Sequence, residues 1–368
     1  MELKFDRSKP YAIALEGGGA KGAYEIGVWK ALAEAGVEFE AVAGTSVGAL
    51  NGAMMVMGEL ENAVYLWEHI CFSQVFSADD GLLKRLYDRE LSGGDVIELL
   101  KDLFKIIKEG GLDIAPLQKL IAERVDEEKI RNSGKKFFLS TYSLTDKKEL
   151  DIDVEELPVG KLQDMLLASA YVPLFQRKKM GGKEYVDGSV YNILPINCLL
   201  EHGYRDIIVI RIYGVGFEKP MELPPDARLV TIAPTEKLGG VLQFDAEQSR
   251  KDLTLGYFDG MRMLYGLAGE KYYIDQQWEE KKAYLALLAL AERFLEEKPS
   301  SLREWNEKLL PKLAKRLQCK EGGYDALLIR LLERLAEEAG ISPFQIRTEE
   351  ELLREIAAGK KASLEKED

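Results

Sequence analysis

A serine bracketed by glycines, Gly44-Thr45-Ser46-Val47-Gly48, follows the apolar run Phe39 to Ala43 and precedes residues that read as a helix. A serine on such a sharp strand-to-helix turn exposes its hydroxyl at the carboxyl edge of a sheet, and the small residues Gly44 and Gly48 let the backbone pack that tightly. Ser46 is therefore the candidate nucleophile. A second turn of the same form lies upstream, where Gly17-Gly18-Gly19-Ala20-Lys21-Gly22 follows the apolar run Tyr11 to Leu15. The amides of a glycine run opening onto a helix carry partial positive charge and approach a developing oxyanion with no side chain in the way. Gly17, Gly18 and Gly19, with Val47 beside the serine, are the candidate oxyanion donors, and Gly22 supports the loop. A glycine turn after a strand also holds nucleotide phosphates. Neither the G-x-G-x-x-G nor the G-x-x-x-x-G-K-[ST] spacing is satisfied, because Lys21 is followed by Gly22 and Ala23.

A serine nucleophile needs a group to take its proton, usually histidine. The chain has two histidines. Ser46, Asp187 and His202 fall in the chain order of a Ser-Asp-His hydrolase, but His202-Gly203 reads as the end of a helix, with Gly203 as its left-handed cap and His202 near the negative end of the dipole. That position precedes the next strand's amino end, whereas ligands of open parallel sheets gather at carboxyl ends. His69, beside Trp67 at helical spacing, reads as a packing residue. The remaining candidate is a carboxylate: Asp187 in Tyr185-Val186-Asp187-Gly188-Ser189, at a strand end before a tight turn that Gly188 permits.

The triple-glycine loop, the Gly44-Thr45-Ser46-Val47-Gly48 elbow and the downstream Asp187-Gly188 pair together resemble the patatin-like phospholipases. The similarity takes in Ala168-Ser169-Ala170 with Pro173 and Phe175, and extends through Phe244-Asp245 and Gly256-Tyr257 to about residue 275. The resemblance implies a Ser46–Asp187 dyad without histidine: Ser46 attacks a fatty acyl ester, its oxyanion rests on the glycine amides, and Asp187 then activates water against the acyl-serine. A solvated aspartate, with a pKa of about 3.9, is a poor base toward serine, so burial must raise its proton affinity. Two positions depart from the family pattern. Glu16 adds a charge beside the cradle, and Ser189 stands where Gly or Ala is usual. The resemblance implies a lipid acyl hydrolase of phospholipase A or lysophospholipase type. An acyltransferase or thioesterase with the same dyad, and a non-catalytic lipid-binding or regulatory module, are the alternatives.

The elements that must position these groups follow from the pattern. Lys136 to Ser143, Ile207 to Tyr213 and Leu229 to Ala233 read as strands and Leu162 to Ala170 as a helix, so strands alternate with helices. That alternation predicts an α/β fold with a mostly parallel central sheet and helices on both faces. Residues 1–275 form the expected catalytic domain. Within it, residues 72–112 mix loop-like stretches with a helix over Val96 to Lys108, an insertion expected to cover the site as a lid or to line an acyl pocket. From residue 276 to 368 the sequence becomes charged and helical. Ser301 with Glu304 and Thr348 with Glu351 form capping boxes, and Gly340 ends a helical run, predicting an all-helical extension that packs against the domain or serves self-association, partner docking or membrane contact.

Lys and Arg number 50 against 63 Asp and Glu, a net charge of −13. This balance argues against a nucleic-acid partner and against passive residence on an anionic membrane; any transient membrane-surface contact needs local basic or apolar features. The oligomeric state is left open. Met1 to Pro10 lacks the apolar core of a secretory signal and no stretch reads as a span, so the expected location is cytoplasmic. Cys71, Cys198 and Cys319 lack metal-ligand spacing. No acidic cluster has calcium-loop spacing, and neither metal nor cofactor is expected.

Overall fold

The computed structural model describes residues 1–77, 110–319 and 322–364. The chain divides into two compact units, Asp6–Met261 and Met1–Phe5 with Arg262–Asp368. The division falls inside the helix Ala246–Tyr265, where the sequence pattern draws it at residue 275. The helix expected over Val96 to Lys108, and with it most of the 72–112 insertion, lies outside the described residues.

The unit Asp6–Met261 is built on a seven-stranded sheet whose strands are β1 (Tyr11–Leu15), β2 (Phe39–Thr45), β3 (Lys136–Ser143), β4 (Lys148–Asp153), β5 (Tyr185–Asp187), β6 (Asp206–Ile210) and β7 (Arg228–Ile232). Their order is β4-β3-β2-β1-β6-β7, with β5 also pairing β3. From β3 to β7 every pairing is parallel, and β4 and β5 run antiparallel to β3. The mostly parallel sheet is as expected.

Side chains alternate across the sheet with period two. One face presents Ala12, Ala14, Ala41, Ala43, Ile207 and Val209 to the helix Ile196–Glu201, whose Ile196, Cys198 and Leu199 complete that core. On the other face lies α2 (Val47–Met57), whose Gly52 is so close that a methyl group there would sit 3.0 Å from both Val42 and Phe137. Burial on both sides is why Tyr11–Leu15 is an unbroken apolar run with every residue buried. Because β1, β2 and β6 are parallel, their ends at Leu15, Thr45 and Ile210 share one edge. The glycine turn, the serine turn and the connection after β6 all leave from it.

The second unit is helical as expected, with Glu280–Leu295, Tyr324–Glu338 and Glu349–Leu364 as its longest helices. Its core gathers Leu287, Trp305, Leu313, Leu331, Leu332 and Leu352. One predicted box forms in full, Thr348 and Glu351 exchanging bonds at 2.8 and 3.3 Å; at the other, Glu304 N–H donates to Ser301 Oγ at 3.2 Å but the Glu304 carboxylate accepts Ser300 N–H at 2.9 Å, one residue before the cap. A feature that the periodicity does not reveal is a parallel pair of two-residue strands, Tyr273–Ile274 with Ile346–Arg347. No helix among the described residues is long and apolar enough to cross a membrane.

Candidate active site

Ser46 caps the start of α2 with φ 56° and ψ −124°, a backbone conformation that a residue with a Cβ rarely adopts. The turn is held closed from both sides. A Cβ at Gly44 would collide with the Gly48 carbonyl, and one at Gly48 would lie 2.7 Å from the Leu15 carbonyl. The distorted amide has a dedicated partner, since Ser46 N–H donates to Ser169 Oγ at 2.9 Å and the Ser169 hydroxyl donates to the Ser140 carbonyl at 2.7 Å. Ser169 is fully buried. Its function as a clamp is invisible in sequence, where it stands within the Ala168-Ser169-Ala170 motif at a helix end.

Asp187 lies at the end of β5, opposite Thr141 of β3. Its N–H donates to the Tyr171 carbonyl at 2.9 Å, and its Oδ1 accepts Ser189 N–H at 2.8 Å. Ser46 and Asp187 line the same cavity, and the Ser46 side chain is among the groups that act on the Asp187 carboxyl. Asp187 is only 3% exposed. Burial holds its carboxyl above the usual aspartate range, against the opposing effect of Ser46 and Ser189. Ser189, the departure from the family pattern, meets the carboxylate through its backbone amide, a donor that Gly or Ala at this position would also supply. Gly188 follows in a single tight turn against the Ser140 carbonyl.

The glycine turn does not behave as one unit. Gly17 N–H donates to the Ile193 carbonyl at 2.9 Å, and a donor so engaged is not free for an oxyanion, so Gly17 leaves the set of candidate donors. Gly18, Gly19 and Val47 line the same cavity as Ser46, and no hydrogen bond from their amides is found among the described residues. Gly19 has φ +59°, and a Cβ there would collide with the Val241 carbonyl. The Gly22 carbonyl accepts Asn51 Nδ2 at 2.9 Å. Asn51 also donates to Glu25 at 2.7 Å and accepts the Trp67 indole N–H at 3.0 Å, so α2 is tied to the glycine turn through one buried amide. Burial pushes the Glu25 carboxyl well above the usual glutamate range.

Glu16 does not add its charge to the cradle as expected. Its carboxylate points away from the cavity, accepting the amides of Ile212 and Tyr213 at 2.7 and 3.0 Å, with Arg211 at 3.4 Å. Neither histidine approaches the pair. His202 stacks on Phe138 with ring centres 4.3 Å apart and turns Nδ1 to the Cys198 carbonyl, near Pro10 and Asp206 at the strands' amino ends. Gly203 has φ +91°, as a helix-ending cap requires. His69 is exposed and stacks on Tyr65.

Above Ser46 and Asp187 lies a cavity of about 360 Å³, walled by Trp67, Ile70, Phe76, Ile121, Phe175 and Phe244. The described end of the 72–112 insertion contributes Val75 and Phe76 to this wall. Among the described residues no group of His, Cys, Asp or Glu is arranged to hold a metal ion.

An α/β sheet carrying a strained serine turn, a glycine turn and an apolar cavity at one edge defines the class. A family profile described as patatin-like phospholipase matches residues 13–200, more than half of the chain. The chain therefore belongs to the patatin-like phospholipase family, whose general chemistry is hydrolysis of lipid acyl esters. It is 52% identical over 42 residues to lysophospholipase nte1 of Aspergillus terreus, a match covering 11% of this chain and 3% of that protein. It is 56% identical over 43 residues to patatin-like phospholipase domain-containing protein 6 of Homo sapiens, covering 12% of this chain and 3% of that protein. Among solved structures it is similar to VipD from Legionella pneumophila, with a TM-score of 0.42 at 15% identity over 91% of this chain and 87% of that one. The type III effector ExoU gives a TM-score of 0.36 at 15% identity over 89% and 69%.

Proposed function

We propose that the protein is a serine-dependent lipid acyl hydrolase of phospholipase A or lysophospholipase type, with Ser46 as nucleophile and Asp187 as its direct base. The observation that carries this reading is that a strained Ser46 and a buried carboxyl of raised proton affinity, Asp187, line one apolar cavity. Asp187 accepts the Ser46 proton as Oγ attacks the acyl carbonyl. The tetrahedral oxyanion meets the amides of Gly18, Gly19 and Val47, positioned before the reaction begins. Collapse breaks the ester C–O bond, and Asp187 returns the proton to the departing alcohol oxygen. A water molecule then gives a proton to Asp187 and its hydroxide to the acyl carbon; the bond from that carbon to Ser46 Oγ breaks and Asp187 returns the proton to Oγ, releasing fatty acid and restoring both side chains. In this reading the unit Asp6–Met261 performs the chemistry, since every described cavity residue lies in it.

The test is covalent labelling of the full chain by a fluorophosphonate probe, with product analysis on a phospholipid. One label per chain, at Ser46, together with release of free fatty acid is expected. An unreactive Ser46 in folded protein would overturn the hydrolase reading, and acyl chains appearing on an added alcohol in place of water would make the protein a transferase.

A further inference from the structure

Parallel strands need a crossover, and a helix usually supplies it. The parallel neighbours β1 and β2 are joined through the helix Ala23–Glu34, whereas β6 and β7, also parallel neighbours, are joined by residues 211–227 with no helix or strand. Connections of this length without secondary structure are uncommon in compact domains and are usually functional. The composition of this one is unusual for a surface loop. Tyr213, Val215, Phe217, Met221 and Leu223 are all exposed, Val215 at 80% and Phe217 at 55%.

The loop is anchored, so its exposure is built in. Phe217 N–H donates to the Ser189 carbonyl at 2.8 Å and its carbonyl accepts Ile193 N–H at 2.7 Å, fixing it to the segment that follows Asp187. Tyr213 is held through its amide by Glu16 and through its carbonyl by Lys21 at 2.6 Å. Val215 and Phe217 also line the cavity above Ser46, as does Val190, itself exposed. Val190, Val215 and Phe217 therefore belong at once to the exposed apolar surface and to the cavity wall. Contiguous exposed apolar side chains rimmed by charge mark interaction sites.

We propose that this crossover loop is a docking surface for a zwitterionic lipid layer, of the phosphatidylcholine kind, with Val215, Phe217, Met221 and Leu223 entering the layer around the cavity mouth. The inference rests on the lipid hydrolase reading and adds where the substrate's aggregate is met. Charge selects the occupant. From Arg211 to Leu223 the loop carries Arg211 and Lys219 against Glu218 and Glu222, a local balance of zero, and the chain as a whole is −13. Anionic layers are repelled over a Debye length, while burial of apolar side chains favours a neutral one. Through the residues that loop and cavity wall share, an acyl chain passes from layer to site without crossing water.

The experiment uses the full chain carrying Ser46→Ala, so that binding is read without turnover, and sediments it with phosphatidylcholine vesicles. The partition coefficient is expected to fall at least about tenfold when Met221→Glu and Leu223→Glu are added. Those two substitutions, in the chain with Ser46 intact, are expected to leave hydrolysis of a monomeric short-chain ester unchanged and to depress hydrolysis of vesicle lipid. A gain-of-signal variant, Met221→Trp, is expected to show indole fluorescence quenched by brominated phosphatidylcholine, and it reads insertion even where the double variant folds poorly. No vesicle binding by the Ser46→Ala chain, undiminished binding after the double substitution, or no quenching at position 221 would overturn the docking surface. So would tighter binding to phosphatidylserine vesicles, or a dimer that the double substitution dissolves. Loss of ester hydrolysis in the native chain would instead sink the hydrolase reading, leaving the vesicle result to stand alone.

Discussion

Both units bury carboxyl groups, and they treat them differently. In the helical unit Glu333 Oε1 accepts three successive amides, from Glu270, Lys271 and Tyr272 at 2.7, 2.8 and 3.0 Å. Glu349 likewise accepts the amides of Gln277 and Trp278. Such amide nests are fixed positive charge, and the carboxylate seated in one ties successive backbone segments to its own helix. In the sheet unit, Glu25 and Asp187 are buried with too few donors to offset desolvation, and both are pushed up. A carboxylate matched to its donors holds a fold together, whereas an under-matched one, whose proton affinity burial has raised, is costly to the fold and useful to chemistry. The contrast separates scaffold from site.

The largest test of that contrast is at Asp187, the under-matched group proposed as the base. Asp187→Asn keeps the shape and removes the proposed base, and Ser46→Ala removes the proposed nucleophile; each is expected to lower kcat on a soluble ester by about 10⁴-fold or more. His202→Ala and His69→Ala are expected to leave kcat where it was. The base must be ionised, so kcat/KM is expected to fall as pH drops through an Asp187 value lying above the ordinary 3.8. A profile flat down to that value would remove the raised carboxyl from the mechanism. Next in size is Gly19→Ala, whose Cβ must displace the Val241 carbonyl or the loop. A loss of about 10²- to 10³-fold in kcat with little change in KM is expected.

The same substitution made in both regions sharpens the comparison. Glu333→Gln weakens three charge-assisted bonds and is expected to cost about 1–3 kcal/mol in denaturant unfolding. Glu25→Gln replaces a group whose burial already favours the neutral form, keeps an acceptor for Asn51, and is expected to cost within about 0.5 kcal/mol at neutral pH. Equal costs would erase the distinction. The smallest effect concerns Asp252, whose carboxyl is raised by burial to about 6 from 3.8 while accepting Gly239 N–H and Gln248 Nε2. The folded state holds this proton more tightly than the unfolded one. The stability it contributes is complete below about pH 4 and is lost as pH rises through about 6. Thermal midpoints from pH 4 to 7 are expected to fall more steeply for the native chain than for Asp252→Asn.

Much of this was legible in sequence because local chemistry decided it. The runs Tyr11 to Leu15 and Phe39 to Ala43 became β1 and β2, since strands covered on both faces need no polar alternation. His202-Gly203 ended its helix, and Thr348 with Glu351 formed their box, because each signal acts within a turn. What escaped depends on partners far away in the chain. The run Ile207 to Tyr213 reads as one strand, yet β6 stops at Ile210 because the amides of Ile212 and Tyr213 are taken by Glu16, nearly two hundred positions away. Gly17 looks like its glycine neighbours until the Ile193 carbonyl claims its amide. Ser169 stands inside a recognisable motif and Asn51 in none, yet neither shows its role locally, since a clamp is defined by what it clamps.

The left-handed backbone at Ser46 has a further consequence. Its distortion, of the order of 1–3 kcal/mol for a residue with a Cβ, is set when the chain folds, so no catalytic cycle has to drive the hydroxyl into position. Glycine alone would sit at ease there. The sturdiest variant of this protein at position 46 is therefore a silent one, and selection for heat tolerance without selection for turnover would drift toward it.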